Sequence, residues 1–257
     1  MQRRAFPRDG LHLSYLDSAL KAPALIALHA HTMEAVTFAP LAEALAPAWR
    51  LIALDQRGHG YSDHAPTYTR DDYLGDLDAL YDHLHLSEAV LLGNSLGGVN
   101  AYQFAARHPQ KVRGLIIEDI GVELKDVPTF MLAWQGEFPT REALADLIGP
   151  RFLPYLEPSF RETQTGWKLA FDPLDMVTSG KCLLGNHWND WLAIDCPALI
   201  IRGRDSRVTT ESEFEEMATR RPNTRIETLN GSHVLHFEDP AAFEAATKNF
   251  LSHLSSS

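Results

Sequence analysis

The sequence predicts an α/β protein built on a mostly parallel sheet with helices on both faces, and three observations carry that expectation. Short apolar runs alternate with longer amphipathic stretches along most of the chain. The runs are apolar throughout rather than at every second residue, as strands buried on both faces require. A chain of 257 residues with 45% hydrophobic content is long enough to bury one full core of this kind.

The elements can be justified in chain order. Alternation of Leu11, Leu13 and Tyr15 reads as an antiparallel edge strand. Leu25-Ile26-Ala27-Leu28 and Leu51-Ile52-Ala53-Leu54 are strand-length runs separated by a helical pattern over 36–46, and a second helix is expected over 71–84. Ala89-Val90-Leu91-Leu92 leads into a helix over 99–107, and Leu115-Ile116-Ile117 is the next strand. After a break, Ala198-Leu199-Ile200-Ile201, a helix over 211–220, a weaker strand at 225–229 and a helix over 240–254 complete the pattern. The break, residues 122–190, holds Pro128, Pro139, Pro150, Pro154, Pro158 and Pro173 amid short helical pieces and large groups such as Phe130, Met131, Trp134, Phe138, Phe152, Trp167, Phe171 and Trp188. We expect a helical cap there, inserted into a core formed by 1–121 and 191–257. Some of its large groups should line a pocket while others pack the cap on the core.

Gly93-Asn94-Ser95-Leu96-Gly97 lies between a strand run and a helix run. A strand, a very tight turn and a helix together make a nucleophile elbow, in which a strained serine is lifted above the sheet edge. Glycines at 93, 97 and 98 leave out the side chains that would collide in so tight a turn. The bland alternative is a glycine-rich turn whose serine caps the helix.

Lys plus Arg number 23 against 34 Asp plus Glu, a formal charge of −11, which disfavours nucleic acid and anionic membrane surfaces as partners. No stretch approaches the roughly 18 apolar residues of a membrane span, and the basic start has no apolar run after it, so the chain is read as soluble and cytoplasmic. Cys182 and Cys196 form no metal-type pair and read as buried or idle thiols. No repeat or linker is evident beyond the serine-ended tail at 255–257.

With these motifs in this order, the chain resembles the α/β-hydrolase superfamily over nearly its whole length. His29-Ala30 stands where that family usually has His-Gly. Asp55-Gln56-Arg57-Gly58-His59-Gly60-Tyr61-Ser62 looks like its Asp-x-Arg-Gly-x-Gly-x-Ser loop, and Gly231-Ser232-His233 resembles its histidine loop. Within the superfamily the resemblance is to compact bacterial serine esterases with a short helical cap.

The resemblance implies a catalytic triad. Ser95 would be the nucleophile, and His233, between the last strand and the last helix, the base, with His236 as the nearest rival. For the acid, the family's commoner position falls on Ser206, with Asp205 one residue early. A subset of the family places the acid after the strand following the elbow helix, and Leu115-Ile116-Ile117-Glu118-Asp119-Ile120-Gly121 looks like that pattern. Asp119 is therefore the preferred acid, with Asp205 and then Glu118 behind it. Backbone N–H groups of Leu96 and His31 are the expected oxyanion donors. The His31 side chain is a candidate for facing the pocket. Arg57, His59 and Tyr61 read as scaffold.

The leading expectation is a cofactor-free serine hydrolase that cleaves carboxylic esters of a small to medium, largely apolar acyl or alcohol group through an acyl-enzyme. Lactones, thioesters, carbon–carbon bonds and peracid formation are same-triad alternatives. Two readings from other classes compete. One is a metal-dependent hydrolase suggested by His29-x-His31, a spacing that puts both side chains on one side of a strand. The other is a ligand-binding receptor on the same fold. The expected partner is a small-molecule ester.

Overall fold

The computed structural model describes residues 1–254; the serine-ended tail at 255–257 lies outside the described residues. Eight strands form one sheet: β1 Gln2–Arg8, β2 Leu11–Asp17, β3 Ala24–Leu28, β4 Arg50–Leu54, β5 Ala89–Asn94, β6 Val112–Glu118, β7 Ala198–Gly203 and β8 Thr224–Leu229. Their spatial order is β1-β2-β4-β3-β5-β6-β7-β8. From β4 to β8 every pairing is parallel, and only β1 and β2 run antiparallel to their neighbours.

The apolar runs are two-sided for a visible reason. In β3, Ile26 and Leu28 face one core while Leu25 and Ala27 face the other, and Ile52/Leu54 against Leu51/Ala53 in β4 and Ile200 against Leu199/Ile201 in β7 repeat the division. A strand rotates successive side chains to opposite faces, so both sets must be apolar when both faces are covered. Helices α1 Ala39–Leu45 and α8 Pro240–Leu254 cover one face through Leu41, Leu45, Phe243, Phe250 and Leu251. Helices α2 Arg70–Leu84, α3 Leu96–Arg107 and α7 Glu211–Arg220 cover the other through Leu77, Tyr81, Tyr102, Phe104, Phe214 and Met217. Each fully buried aliphatic side chain of this size contributes about 1.5–3 kcal/mol.

Two expectations need correction. The strand at Leu11 to Tyr15 is not the edge; β1 lies outside it and pairs with it from Gln2↔Asp17 to Arg8↔Leu11. Only Phe6 of β1 is buried, so its sequence shows no apolar run. The hairpin turn is Asp9-Gly10, both at positive φ (49° and 82°), the backbone that a two-residue turn demands. The helix expected over 36–46 is also shorter, because 35–38 is a 3-10 turn and α1 starts at Ala39 with Pro40 in its first turn.

Residues between β6 and β7 leave the sheet at a two-residue antiparallel ladder that pairs 123–124 with 185–186. Beyond it stand α4 Arg141–Ile148, a short hairpin pairing Phe160–Glu162 with Trp167–Leu169, and α5 Pro173–Leu183. The hairpin had no counterpart in the helical reading of this stretch. Met131, Trp134, Leu144, Ile148, Phe160, Phe171 and Met176 form an apolar cluster of their own. Leu183 at the end of α5 and Trp188 and Trp191 of α6 Trp188–Leu192 pack instead into the main core. No helix among the described residues is long and apolar enough to cross a membrane.

Candidate active site

Six parallel strands deliver their carboxyl ends to one rim, and the residues singled out in the sequence gather there, as ligand chemistry does in open α/β sheets. Ser95 follows β5 directly with φ 51° and ψ −114°, a conformation that non-glycine residues avoid. Its own N–H is held by the Glu118 carbonyl of β6 at 3.1 Å. The turn closes only because its glycines are bare. A Cβ on Gly97 would lie 2.1 Å from the Leu28 carbonyl oxygen, and one on Gly93 would lie 2.1 Å from the Gly97 carbonyl oxygen.

Asp119 occupies the equivalent place one strand over, also at positive φ (47°), with its N–H bonded to the Ile201 carbonyl at 2.8 Å. Its carboxylate is fully buried. Oδ2 faces Nδ1 of His233 at 2.7 Å and accepts from the Ser206 hydroxyl at 2.8 Å, while Oδ1 accepts from Thr209 Oγ1 at 2.9 Å and the Gly203 N–H at 3.3 Å. Ser206, which stands in the family's commoner acid position, thus hydrogen-bonds the carboxylate supplied by β6. Asp205 is exposed and donates its backbone N–H to the Gly231 carbonyl at 3.0 Å. Glu118 is paired elsewhere, its buried carboxylate 2.8 Å from Nδ1 of His236, whose ring stacks on Phe38 at 4.3 Å. The structure therefore gives each of the two rival histidines a different carboxylate.

Supports that the sequence reading missed hold His233 in place. Glu238 accepts the backbone N–H groups of Ser232, His233 and Val234. Burial pushes that carboxyl upward, but the N–H groups outweigh it and hold it below the usual range. Asn94, inside the elbow, donates from Nδ2 to the His233 carbonyl at 2.9 Å and so ties the serine turn to the histidine loop. The elbow motif pointed to Asn94 by position. Glu238 gave no signal beyond lying five residues after the histidine.

His31 and Leu96 present backbone N–H groups that meet no protein acceptor among the described residues. Leu96 opens α3, where first-turn N–H groups have no partner within the helix. In the His31 loop the positive φ falls on Thr32 (69°), and Ala30 carries none. The ring of His31 is fixed from the other side by a chain of hydroxyls. Nε2 meets Ser179 Oγ of α5 at 2.9 Å, and that oxygen meets the Tyr73 hydroxyl at 2.8 Å. Burial lowers the His31 imidazole to about 3, so it stays neutral. His29 lies beneath, its Nε2 accepting from the Gln56 N–H at 3.0 Å and Nδ1 against the Ala30 carbonyl at 2.7 Å. Both its nitrogens are thus engaged within the protein, and burial lowers it to about 4.

Ser95, His31 and His233 line two adjoining cavities. One, of about 200 Å³, is walled by Met33, Phe130, Met131, Phe152, Tyr155 and Val234, with Arg151 and Arg207 also bordering it. The other, of about 440 Å³, runs past Ile120, Leu124, Val127 and Leu183 to Glu123, Lys125 and Asp126. Of the large groups in residues 122–190, Phe130, Met131 and Phe152 thus reach the cavity, while Trp134 and Phe171 build the cluster behind it. Arg57 makes a two-pronged ion pair with Asp76 at 2.6 and 2.7 Å, and His59 bonds the Arg57 carbonyl, placing both in the framework of their loop. Tyr61 is exposed between the Arg3 and Arg161 guanidinium groups, 4.0 and 4.4 Å from its ring centre. Cys182 and Cys196 are free and half-buried.

The likenesses to known proteins extend over the same architecture. The chain is 26% identical over 250 residues, 89% of its length and 88% of the relative's, to a 2-(acetamidomethylene)succinate hydrolase of Mesorhizobium japonicum. It is 27% identical over 215 residues to 3-oxoadipate enol-lactonase 2 of Acinetobacter baylyi, covering 78% of this chain and 79% of that one. Among solved structures, E-2-(acetamidomethylene)succinate hydrolase superposes with a TM-score of 0.88 over 98% of this chain and 99% of the other at 22% identity, a likeness of fold. The model of the alpha/beta hydrolase family matches residues 25–246, from the first parallel strand into the last helix, and the chain belongs to that family.

Proposed function

We propose that the protein is a serine hydrolase that cleaves carboxylic esters through an acyl-enzyme, with Ser95, His233 and Asp119 as its triad and residues 122–190 as the cap over the substrate. The observation that carries this reading is the buried Asp119 carboxylate 2.7 Å from His233 Nδ1, on an imidazole that shares a cavity with the strained Ser95. A carboxylate on Nδ1 keeps the proton there and leaves Nε2 bare to act as base. Nε2 takes the Ser95 proton as Oγ attacks the ester carbonyl, and the resulting oxyanion accepts from the N–H groups of Leu96 and His31. Collapse breaks the bond to the alcohol oxygen, which leaves with the proton from His233. Water then gives its proton to His233, attacks the acyl group, and the acid departs as Ser95 recovers its hydrogen.

The apolar wall of the smaller cavity suits a small to medium acyl or alcohol group. Lactone opening is the second reading, favoured by the likeness to an enol-lactonase, since the same steps open a ring ester. A panel of p-nitrophenyl esters of increasing acyl length tests the proposal. Hydrolysis is expected to peak at short to medium chains and to vanish in Ser95→Ala. Turnover that survives in Ser95→Ala at the wild-type rate refutes it.

A further inference from the structure

We infer that the substrate of this site carries an anionic group, a carboxylate, on the moiety that fills the smaller cavity, and that Arg151 and Arg207 at the cavity's border hold it. The inference rests on the reading of Ser95 and His233 as the reacting centre and adds the chemical class of what reaches it.

About half of the seventeen guanidinium groups of this acidic protein are committed to carboxylates, and what distinguishes Arg151 and Arg207 among the rest is that they border the cavity of Ser95. Arg3, Arg8, Arg50, Arg57, Arg107, Arg141, Arg161 and Arg220 all pair with carboxylates. Arg151 and Arg207 pair with none among the described residues, although Asp and Glu outnumber Lys and Arg 34 to 23 in the whole chain. Arg151 lies over the Phe152 ring, 5.2 Å from its centre, a contact that orients the side chain and leaves its N–H donors unspent. The two reach the same small cavity from different parts of the chain, Arg151 from the inserted segment and Arg207 from the loop after β7.

Apart from the reacting imidazole, these are the ionic side chains of that cavity; the rest of its wall is apolar or uncharged, and His31 is kept neutral by burial. Carboxylates, Glu123 and Asp126, occur only along the second cavity, which Arg207 also borders; Glu123 is bonded there to Lys125 at 3.2 Å, and neither carboxylate pairs with Arg207. The smaller cavity therefore sets Ser95 in a largely apolar wall whose border carries two exposed guanidinium groups. That is the complement of a short chain with a carboxylate on its end. Guanidinium groups meet carboxylates with paired N–H donors, and the low polarity of the wall strengthens the attraction.

Binding decides this independently of turnover. In the Ser95→Ala background, titration by calorimetry or ligand-detected NMR compares monomethyl glutarate with methyl pentanoate, which has a similar chain and no charge. The acid is expected to bind about tenfold tighter, the size of one charge-assisted pair in a half-open site. Raising the salt to 0.5 M should shrink that ratio. Adding Arg151→Gln or Arg207→Gln should each cut the ratio by about threefold, and the two together should bring it near one. Equal or tighter binding of the neutral ester, or a ratio unmoved by both substitutions, overturns the inference. Loss of ester turnover by the wild type would instead strike the reading beneath it.

Discussion

Replacing Asp119 by asparagine removes one negative charge and exchanges one oxygen for an amide, and the surroundings dictate the consequence. The carboxylate engages four groups, the Gly203 N–H, the hydroxyls of Thr209 and Ser206, and His233 Nδ1. The amide oxygen can keep the first two, while the Ser206 hydroxyl, whose oxygen already accepts from the Val208 and Thr209 N–H groups, loses its acceptor. His233 fares worse. To meet an NH2 its Nδ1 must be bare, which moves the ring proton to Nε2 and leaves nothing to receive the Ser95 proton. A wrong tautomer of this kind costs about ten-thousandfold in kcat, or about 5.5 kcal/mol of barrier. Stability should fall by only about 1 kcal/mol, because the one donor that loses its acceptor is the half-buried Ser206 hydroxyl. Asp205→Asn, at an exposed carboxylate, should stay within about twofold of the wild type. The assay is kcat on a short-chain p-nitrophenyl ester for both variants, with thermal melting to certify the fold. Collapse of Asp205→Asn with Asp119→Asn left near normal refutes the assignment of the acid.

Two further expectations concern the loop that carries His31. Burial raises the Glu34 carboxyl to about 7 even beside Arg161, so between about pH 4.5 and 7 the folded protein holds a proton that the unfolded chain releases. Stability from this group is therefore lost as pH rises through that window, by roughly 3 kcal/mol. His29, His31 and His59, lowered by burial, act in the opposite sense and lose stability as pH falls below about 6.5. Urea unfolding of Glu34→Gln should show less decline than the wild type between pH 5 and 7.5; parallel curves contradict this linkage. Ser179→Ala removes the hydroxyl that fixes the His31 ring and should lower kcat roughly fivefold with little change in KM, because in the proposed mechanism the His31 N–H donates to the oxyanion. An unchanged kcat places Ser179 outside that role.

How much of the fold and the site is legible in the sequence depends on how local each constraint is. The elbow announces itself because a backbone at φ 51° between a buried strand and a buried helix tolerates only small neighbours, and those are consecutive in sequence. The strands β3 to β7 announce themselves because burial on two faces leaves polar residues only near their ends. The pattern around 115–121 favours Asp119 over Asp205, and in the structure the Asp119 carboxylate lies against His233. That the Ser206 hydroxyl serves this carboxylate from the neighbouring strand end cannot be read from sequence, since their meeting depends on the parallel register of β6 with β7. β1 escapes because an edge strand buries little, one phenylalanine here, although Asp9-Gly10 is a hairpin signal within reach. Glu238 and Arg161 escape for another reason. Arg161 acts on Glu34, which only the finished fold brings near, and Glu238 acts on N–H groups four to six residues back, but an isolated charged residue in sequence carries no mark of its partner.

Every step of the proposed chemistry depends on Ser95 being the activated nucleophile. Incubating the protein with an active-site-directed organophosphate and locating the adduct by peptide mass spectrometry tests that directly. One phosphoryl group per chain on Ser95, absent after Ser95→Ala and strongly slowed by His233→Ala, is the expected result. Stoichiometric labelling of any other residue, or none of the folded protein at all, contradicts it.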